Sequence, residues 1–213
     1  VVAIIPFYGA TNPALFATER AAMDRPGLVL AALDEVLPRG TVLDVGAGDG
    51  FTAARLSTAT RAVIPLEPAE GMRRPASGLR WVGGEAEHLP FAARSFAGAY
   101  ATWAYFFSRD WDPTPGLAEL HRVVDRGGPL VVVENLGDDE LTALAAHDIT
   151  GDPEVWLGLG FELLEVDTVF EFVSEDDAAA LLGLYFGDRA PRRPKLRWTY
   201  RVGVFIASSS GPG

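Results

Sequence analysis

The sequence predicts a doubly wound α/β domain, on three observations. Short, nearly continuous apolar runs recur at Thr41–Val45, Arg61–Leu66, Leu79–Val82, Ala97–Trp103 and Pro129–Val133. Helix-period segments lie between them. The first run ends in a glycine-rich turn, Asp44-Val45-Gly46-Ala47-Gly48-Asp49-Gly50, that opens straight into a helix. Strands apolar on both faces and separated by helices belong to a parallel sheet covered on both sides.

Taking the elements in order, two helices precede the first strand, at 13–23 and 27–37. In the second, Val29, Leu33, Val36 and Leu37 form one apolar face, and Pro38-Arg39-Gly40 stops it. Phe51–Leu56 forms the helix after the glycine turn. The clearest helix is Pro115–Val124, with Leu117, Leu120, His121 and Val124 at i, i+3, i+4 and i+7. Gly127-Gly128 then supplies residues able to adopt the left-handed cap. After residue 160 the period changes to two. Val166, Thr168, Phe170 and Phe172 form one alternating set, and Trp198, Tyr200, Val202, Val204 and Ile206 another. A helix over 175–186 separates these two strands.

Composition narrows the function. The 213 residues suffice for one domain with its own core. With 48% hydrophobic and 22% charged residues, a largely disordered chain is excluded. The chain has no cysteine, which excludes a disulfide framework, a Cys-type zinc site, an iron–sulfur cluster and a thiol nucleophile. That usage fits a reducing, cytoplasmic setting. A net charge of −11 repels a nucleic-acid backbone and tolerates a cationic small molecule. No run of about 18 apolar residues is present, so no membrane span is expected. The three histidines lack HxH or HxxxH spacing, and no metal site is expected.

The glycine turn carries the most chemistry. Gly46 and Gly48 permit a tight turn and close approach of a ligand to the backbone. The helix that follows presents free N–H groups. Glu67 lies 23 residues after Asp44 at the end of the second run, where a carboxylate can accept both hydroxyls of a ribose. Phe51 stands where a dinucleotide-binding fingerprint has its third glycine. Asp44 brings a negative charge to the loop, which suits an ammonium better than a pyrophosphate. Both features turn the reading from a nicotinamide cofactor toward S-adenosylmethionine.

Three motifs now stand in order. Val42-Leu43-Asp44-Val45-Gly46-Ala47-Gly48-Asp49-Gly50 resembles motif I of class I S-adenosylmethionine-dependent methyltransferases. Gly84-Glu85-Ala86-Glu87-His88-Leu89-Pro90-Phe91 with Ser95-Phe96 resembles a stretch of their type 11, ubiquinone-methyltransferase-like branch. Glu119-Leu120-His121-Arg122-Val123-Val124-Asp125-Arg126-Gly127-Gly128-Pro129-Leu130 resembles a third stretch of that branch.

The resemblance implies a Rossmann-like, seven-stranded, mostly parallel sheet with one antiparallel strand near the C-terminal edge. It implies that Asp44, Gly46, Ala47 and Gly48 line the methionine part of the cofactor. Glu67, beside Pro68, would hold the ribose, and Met72 would pack near the adenine. Glu85, where the family usually has Asp, would accept from the adenine amino group, with Ala86 beside it. Thr102 and Trp103 would sit beside the reacting methyl. Residues 1–207 are then expected to form one methyltransferase domain: a helical cap over 1–39, the cofactor-binding core over 40–135 and a substrate-side half over 136–207. A disordered tail is expected over 208–213.

The expected activity is methyl transfer to a small apolar or aromatic acceptor, by a monomer or homodimer. The segment from Trp103 to Trp111 has five aromatic residues in nine and follows the fourth run. Tyr105 and Phe106, with Phe7 and Tyr8, are candidates for the walls of the acceptor pocket. Tyr105, Asp110 and His147 are candidates for orienting or deprotonating the acceptor, where its hydroxyl needs a base. His88 reads as exposed and His121 as a core-edge residue. The basic set Arg189, Arg192, Arg193, Lys195, Arg197 and Arg201 reads as a solvated loop, with capture of an acidic group as the sharper alternative. Two other functions remain open at this point: a cofactor-binding protein that does not methylate, and a nicotinamide-dependent oxidoreductase.

Overall fold

The computed structural model describes residues 8–74, 78–104, 112–145 and 151–210, and of Tyr8 the backbone alone. Its centre is a six-stranded sheet in the order β2-β1-β3-β4-β6-β5. The strands are β1 Gly40–Val45, β2 Arg61–Leu66, β3 Gly98–Thr102, β4 Pro129–Asn135, β5 Glu162–Glu171 and β6 Arg197–Ser208. The first four pair in parallel, and β6 runs antiparallel to both β4 and β5. The helices are α1 Pro13–Ala22, α2 Leu28–Val36, α3 Phe51–Leu56, α4 Thr114–Val123, α5 Pro153–Gly158 and α6 Glu175–Phe186.

Side chains alternate across each strand, so each strand feeds two cores. Val42, Tyr100, Val131 and Val133 face Ala22 of α1, Val29 and Leu33 of α2, Leu56 of α3 and Leu181 of α6. Leu43, Ala99, Leu130 and Val132 face Leu117 and Leu120 of α4 and Trp156 of α5. This double burial is why the strands read as apolar runs with no polar face.

The expected seventh strand, Leu79–Val82, is a correction. Only one parallel bridge forms there, between Leu66 and Val82. Val82 donates to the Pro65 carbonyl at 3.0 Å and accepts from Glu67 N–H at 3.1 Å. The Pro65 carbonyl faces outward, so the missing N–H of proline lies on the same side, and the ladder cannot extend by that bond. The tail expected from Ser208 is a second correction. Ser208 closes β6, and Ser209 exchanges backbone hydrogen bonds with Gly127 and Gly128. Residues 211–213 lie outside those described. The short helix α5 has no counterpart among the sequence expectations, because unlike α3 it follows no glycine-rich turn that marks its start.

Two buried polar side chains tie α2 and α3 to the sheet. Arg61 donates to the carbonyls of Pro38, Leu37, Asp34 and Leu56, satisfying carbonyls at or beyond the ends of α2 and α3. The Asp24 carboxylate accepts from the N–H groups of Leu28 and Val29 at 2.9 Å and from the Thr168 hydroxyl at 2.7 Å. It thereby caps α2 and ties it to β5. The loops after β1, β2 and β3 are left at the carboxyl ends of the parallel strands, where ligands bind in open α/β sheets.

Candidate functional site

The glycine turn is joined to the end of β2. Gly46 and Ala47 donate to the Leu66 carbonyl at 2.9 and 3.0 Å. Gly48 donates to Glu67 Oε2 and Ala69 to Glu67 Oε1, both at 2.9 Å. The Glu67 carboxylate is therefore buried and fixed between the two loops. Burial raises its pKa, against the pull of these two N–H donors and of Arg73. At Gly50, φ is +81°, and a Cβ would fall 2.8 Å from both Leu79 and Trp81. A side chain is excluded there by conformation and by space together.

Asp44 ends its strand fully buried. Its Oδ2 accepts from the Tyr100 hydroxyl at 2.9 Å across the neighbouring strand. Its Oδ1 has no partner among the described residues. Burial pushes the carboxyl up to about 7, opposed by the Tyr100 hydrogen bond and by the charge of Arg20. An orphaned carboxylate oxygen beside a glycine cradle fits the ammonium of an amino-acid moiety, and an ammonium is what would return this group to its ionised form.

The remaining predicted cofactor residues flank this pair. Met72 is buried against the glycine turn: its Cε lies 3.7 Å, and Phe16 Cζ 3.4 Å, from where a Gly48 Cβ would be. Pro68 follows Glu67, and the carbonyls of both accept from Arg73. Ala86 is buried and Glu85 half-buried in the loop beyond Val82. Arg122 holds this loop from α4, donating to the carbonyls of Phe91 and Leu89 at 2.7 and 3.0 Å while paired bidentately with Glu119. Glu119 in turn accepts from Leu89 N–H at 2.8 Å. The third motif is thus a clasp on the second.

Thr102 closes β3, buried, and Trp103 follows with φ of +46°. A bulky residue in that conformation is strained. Its ring stacks on Tyr200 at 6.3 Å, and its indole N–H is buried with no acceptor among the described residues. One strand over, Glu134 is buried with neither carboxylate oxygen partnered among the described residues. Burial pushes its pKa well above the usual range.

Of the other candidates, Phe7, Tyr105, Phe106, Asp110 and His147 lie outside the described residues, as does the Tyr8 side chain. His88 is exposed. His121 accepts from Ser210 N–H through Nδ1 at 3.2 Å, and burial lowers its pKa. The basic loop spends much of its charge on neighbours: Lys195 pairs with Glu140, Arg197 with Glu171, and Arg201 with Glu165, Asp167 and Asp138. Sequence reasoning missed Tyr100, Glu134 and Arg20. Tyr100 sits inside an apolar run and Glu134 directly follows one, where a single polar residue was the available signal. Arg20 gave none.

The doubly wound sheet, the glycine turn and the acidic residue closing β2 define a class I methyltransferase fold. The solved structures agree. An S-adenosylmethionine-dependent methyltransferase of Thermotoga maritima, described as a possible histamine N-methyltransferase, is 19% identical with a TM-score of 0.60, covering 95% of this chain and 100% of its own. The YcgJ protein of Bacillus subtilis is 18% identical with a TM-score of 0.57, covering 88% of this chain and 98% of its own. Residues 43–132 match the family model described as a methyltransferase domain, type 11. Over that stretch the chain is similar to methyltransferase domains of this type, whose methyl donor is S-adenosylmethionine. Among curated proteins, the demethylmenaquinone methyltransferase of Renibacterium salmoninarum is 33% identical over 135 residues, covering 62% of this chain and 55% of that protein. The chain spans between about a quarter and about half the length of the curated relatives it matches.

Proposed function

We propose that the protein transfers a methyl group from S-adenosylmethionine to a small apolar or aromatic molecule. The observation that carries this reading is the buried, half-partnered Asp44 beside the Gly46–Gly48 turn, with Glu67 fixed across from it. When bound, S-adenosylmethionine supplies an electrophilic methyl on a sulfonium. Asp44 Oδ1 accepts from the ammonium, and the backbone of Gly46, Ala47 and Gly48 lies along the amino-acid part. Glu67 uses its remaining lone pairs on the ribose hydroxyls, with Pro68 shaping the turn behind it. Met72, Glu85 and Ala86 surround the adenine. Thr102 and Trp103 form the floor against which the acceptor lies.

Orientation of the acceptor in line with the methyl supplies much of the rate. For a neutral hydroxyl of high pKa a base adds to this, and Tyr105, Asp110 and His147 are the candidates, with Phe7, Tyr8, Tyr105 and Phe106 as pocket walls. The aromatic acceptor is supported by the relative whose name specifies a demethylmenaquinone. The strongly acidic composition argues for a small molecule over a nucleic acid, and the absence of cysteine for a cytoplasmic setting. Residues 1–207 act as one domain in this reading. Calorimetry is the test: S-adenosylhomocysteine should bind and NADH should not. Heat from NADH alone would refute the assignment. Formation of S-adenosylhomocysteine from the donor with aromatic acceptors then tests the transfer itself.

A further inference from the structure

A cavity of about 390 Å³ opens between α1, α2 and α3 at the end of β3. Met23, Leu30 and Leu33 line it beside α1 and α2, and Phe51, Thr102 and Trp103 at α3 and the end of β3. It shares Thr102 and Trp103 with the cofactor residues above, but Asp44, Gly48 and Glu67 do not line it. Its volume falls within the range of small-molecule sites, roughly 300–1,000 Å³.

The lining is basic in an otherwise acidic protein. Arg20, Arg25 and Arg55 face one carboxylate, Asp24, whose oxygens already serve the α2 N–H groups and Thr168. Arg20 lies 5.3 Å from the centre of the Phe51 ring and 5.5 Å from that of Trp103. It donates to Thr52 Oγ1 at 3.1 Å and to Met23 Sδ at 3.5 Å. Arg55 lies 3.4 Å from the centre of the same Phe51 ring and donates to the Phe51 carbonyl. Neither guanidinium meets a carboxylate among the described residues. Two cations share one aromatic ring, and burial together with the charge of Arg20 lowers the Arg55 pKa, against the opposing charge of Asp49. Beside them stands the Trp103 indole N–H, buried and without an acceptor among the described residues. Two guanidiniums in no ion pair and an orphaned donor thus line one cavity and leave room for an anion. A guanidinium fork matches a carboxylate bidentately and stacks on aromatic faces, which an ammonium does less well.

We propose that this cavity is the acceptor site and that the acceptor is a ring-bearing carboxylate, its anion held by Arg20 and Arg55 and its ring against Phe51 and Trp103. The assignment rests on reading the glycine turn as the cofactor site, which leaves this neighbouring space for the acceptor. The local positive charge also offsets a net charge of −11 that would otherwise repel such a molecule.

The test uses the full chain and two probes of equal shape, benzoate and benzamide, titrated after S-adenosylhomocysteine. Benzoate should bind at least tenfold more tightly than benzamide. Arg20→Gln, saturated with S-adenosylhomocysteine, should erase that preference. Arg20→Lys keeps the charge without the fork and should fall between the two; it carries the test if Arg20→Gln does not fold. Equal binding of the two probes, or binding of neither, overturns the proposal. So does an Arg20→Gln variant that weakens S-adenosylhomocysteine tenfold but not its decarboxylated analogue, which keeps the ammonium, because the arginine would then serve the cofactor's own carboxylate. Failure of the wild-type protein to bind S-adenosylhomocysteine, measured first, would overturn the cofactor reading and this assignment with it.

Discussion

Replacing Asp44 with asparagine keeps the shape and removes the charge, and the structure predicts opposite effects on stability and on binding. Burial raises the carboxyl from an ordinary 3.8 to about 7. The folded state therefore holds a proton that the unfolded state releases. At about 1.4 kcal/mol per pKa unit, wild-type protein loses ~4 kcal/mol of stability as the pH rises from about 4 to about 7, and no more above that. Asp44→Asn has no such proton to lose. Its amide leaves a donor where Oδ1 now lacks a partner, at a cost of about 1–3 kcal/mol. The variant should thus be the less stable protein near pH 4 and the more stable one, by about 1–3 kcal/mol, above pH 7. Binding should go the other way. Loss of a charged acceptor for the ammonium should weaken S-adenosylhomocysteine about 10- to 100-fold. Wild-type affinity should also rise with pH up to about 7, because only the ionised carboxyl attracts the ammonium, and this rise should be absent in the variant. Urea midpoints from pH 4.5 to 8.5 and calorimetry at the same values make the comparison. Stability curves that stay parallel across this range would refute the buried-proton argument. An unchanged affinity would remove Asp44 from the cofactor site.

Other substitutions test neighbouring parts of the same site. Glu67→Gln replaces one of the oxygens that accept from Gly48 and Ala69, and should cost about 1–2 kcal/mol in the urea midpoint and weaken S-adenosylhomocysteine about tenfold. Gly50→Ala forces a side chain into a left-handed conformation and against Leu79 and Trp81; denaturation should show a loss of about 2 kcal/mol. Glu134→Gln removes a buried group that holds its proton far more tightly folded than unfolded, so its advantage over wild type should grow as the pH rises above 4 and vanish in acid. A pH-independent difference between the two proteins would show that Glu134 is not held neutral by the fold.

Much of the fold was legible in the sequence because it is written in local period. The bounds of β2 and α6 follow from runs and spacings within each segment, and the glycine turn marks the start of α3 and, in the proposed reading, the cofactor side of the site. Tertiary structure alone decided the rest. Pro65 ends the sheet at β2 only because the carbonyl that Val82 meets points outward, which no property of the run Leu79–Val82 reveals. Both terminal strands alternate alike, yet β6 lies between β4 and β5, with Val202, Val204 and Phe205 all buried, while β5 takes the edge. Tyr100 reaches Asp44 from 56 residues away. Arg20 sits on α1 as any surface arginine would, and becomes part of a cavity wall because α1 packs beside Phe51 and Trp103. Local propensity and period depend on neighbours in the chain, so they survive in the sequence. Strand order, the environment of a buried charge and the walls of a cavity depend on segments that meet only after folding.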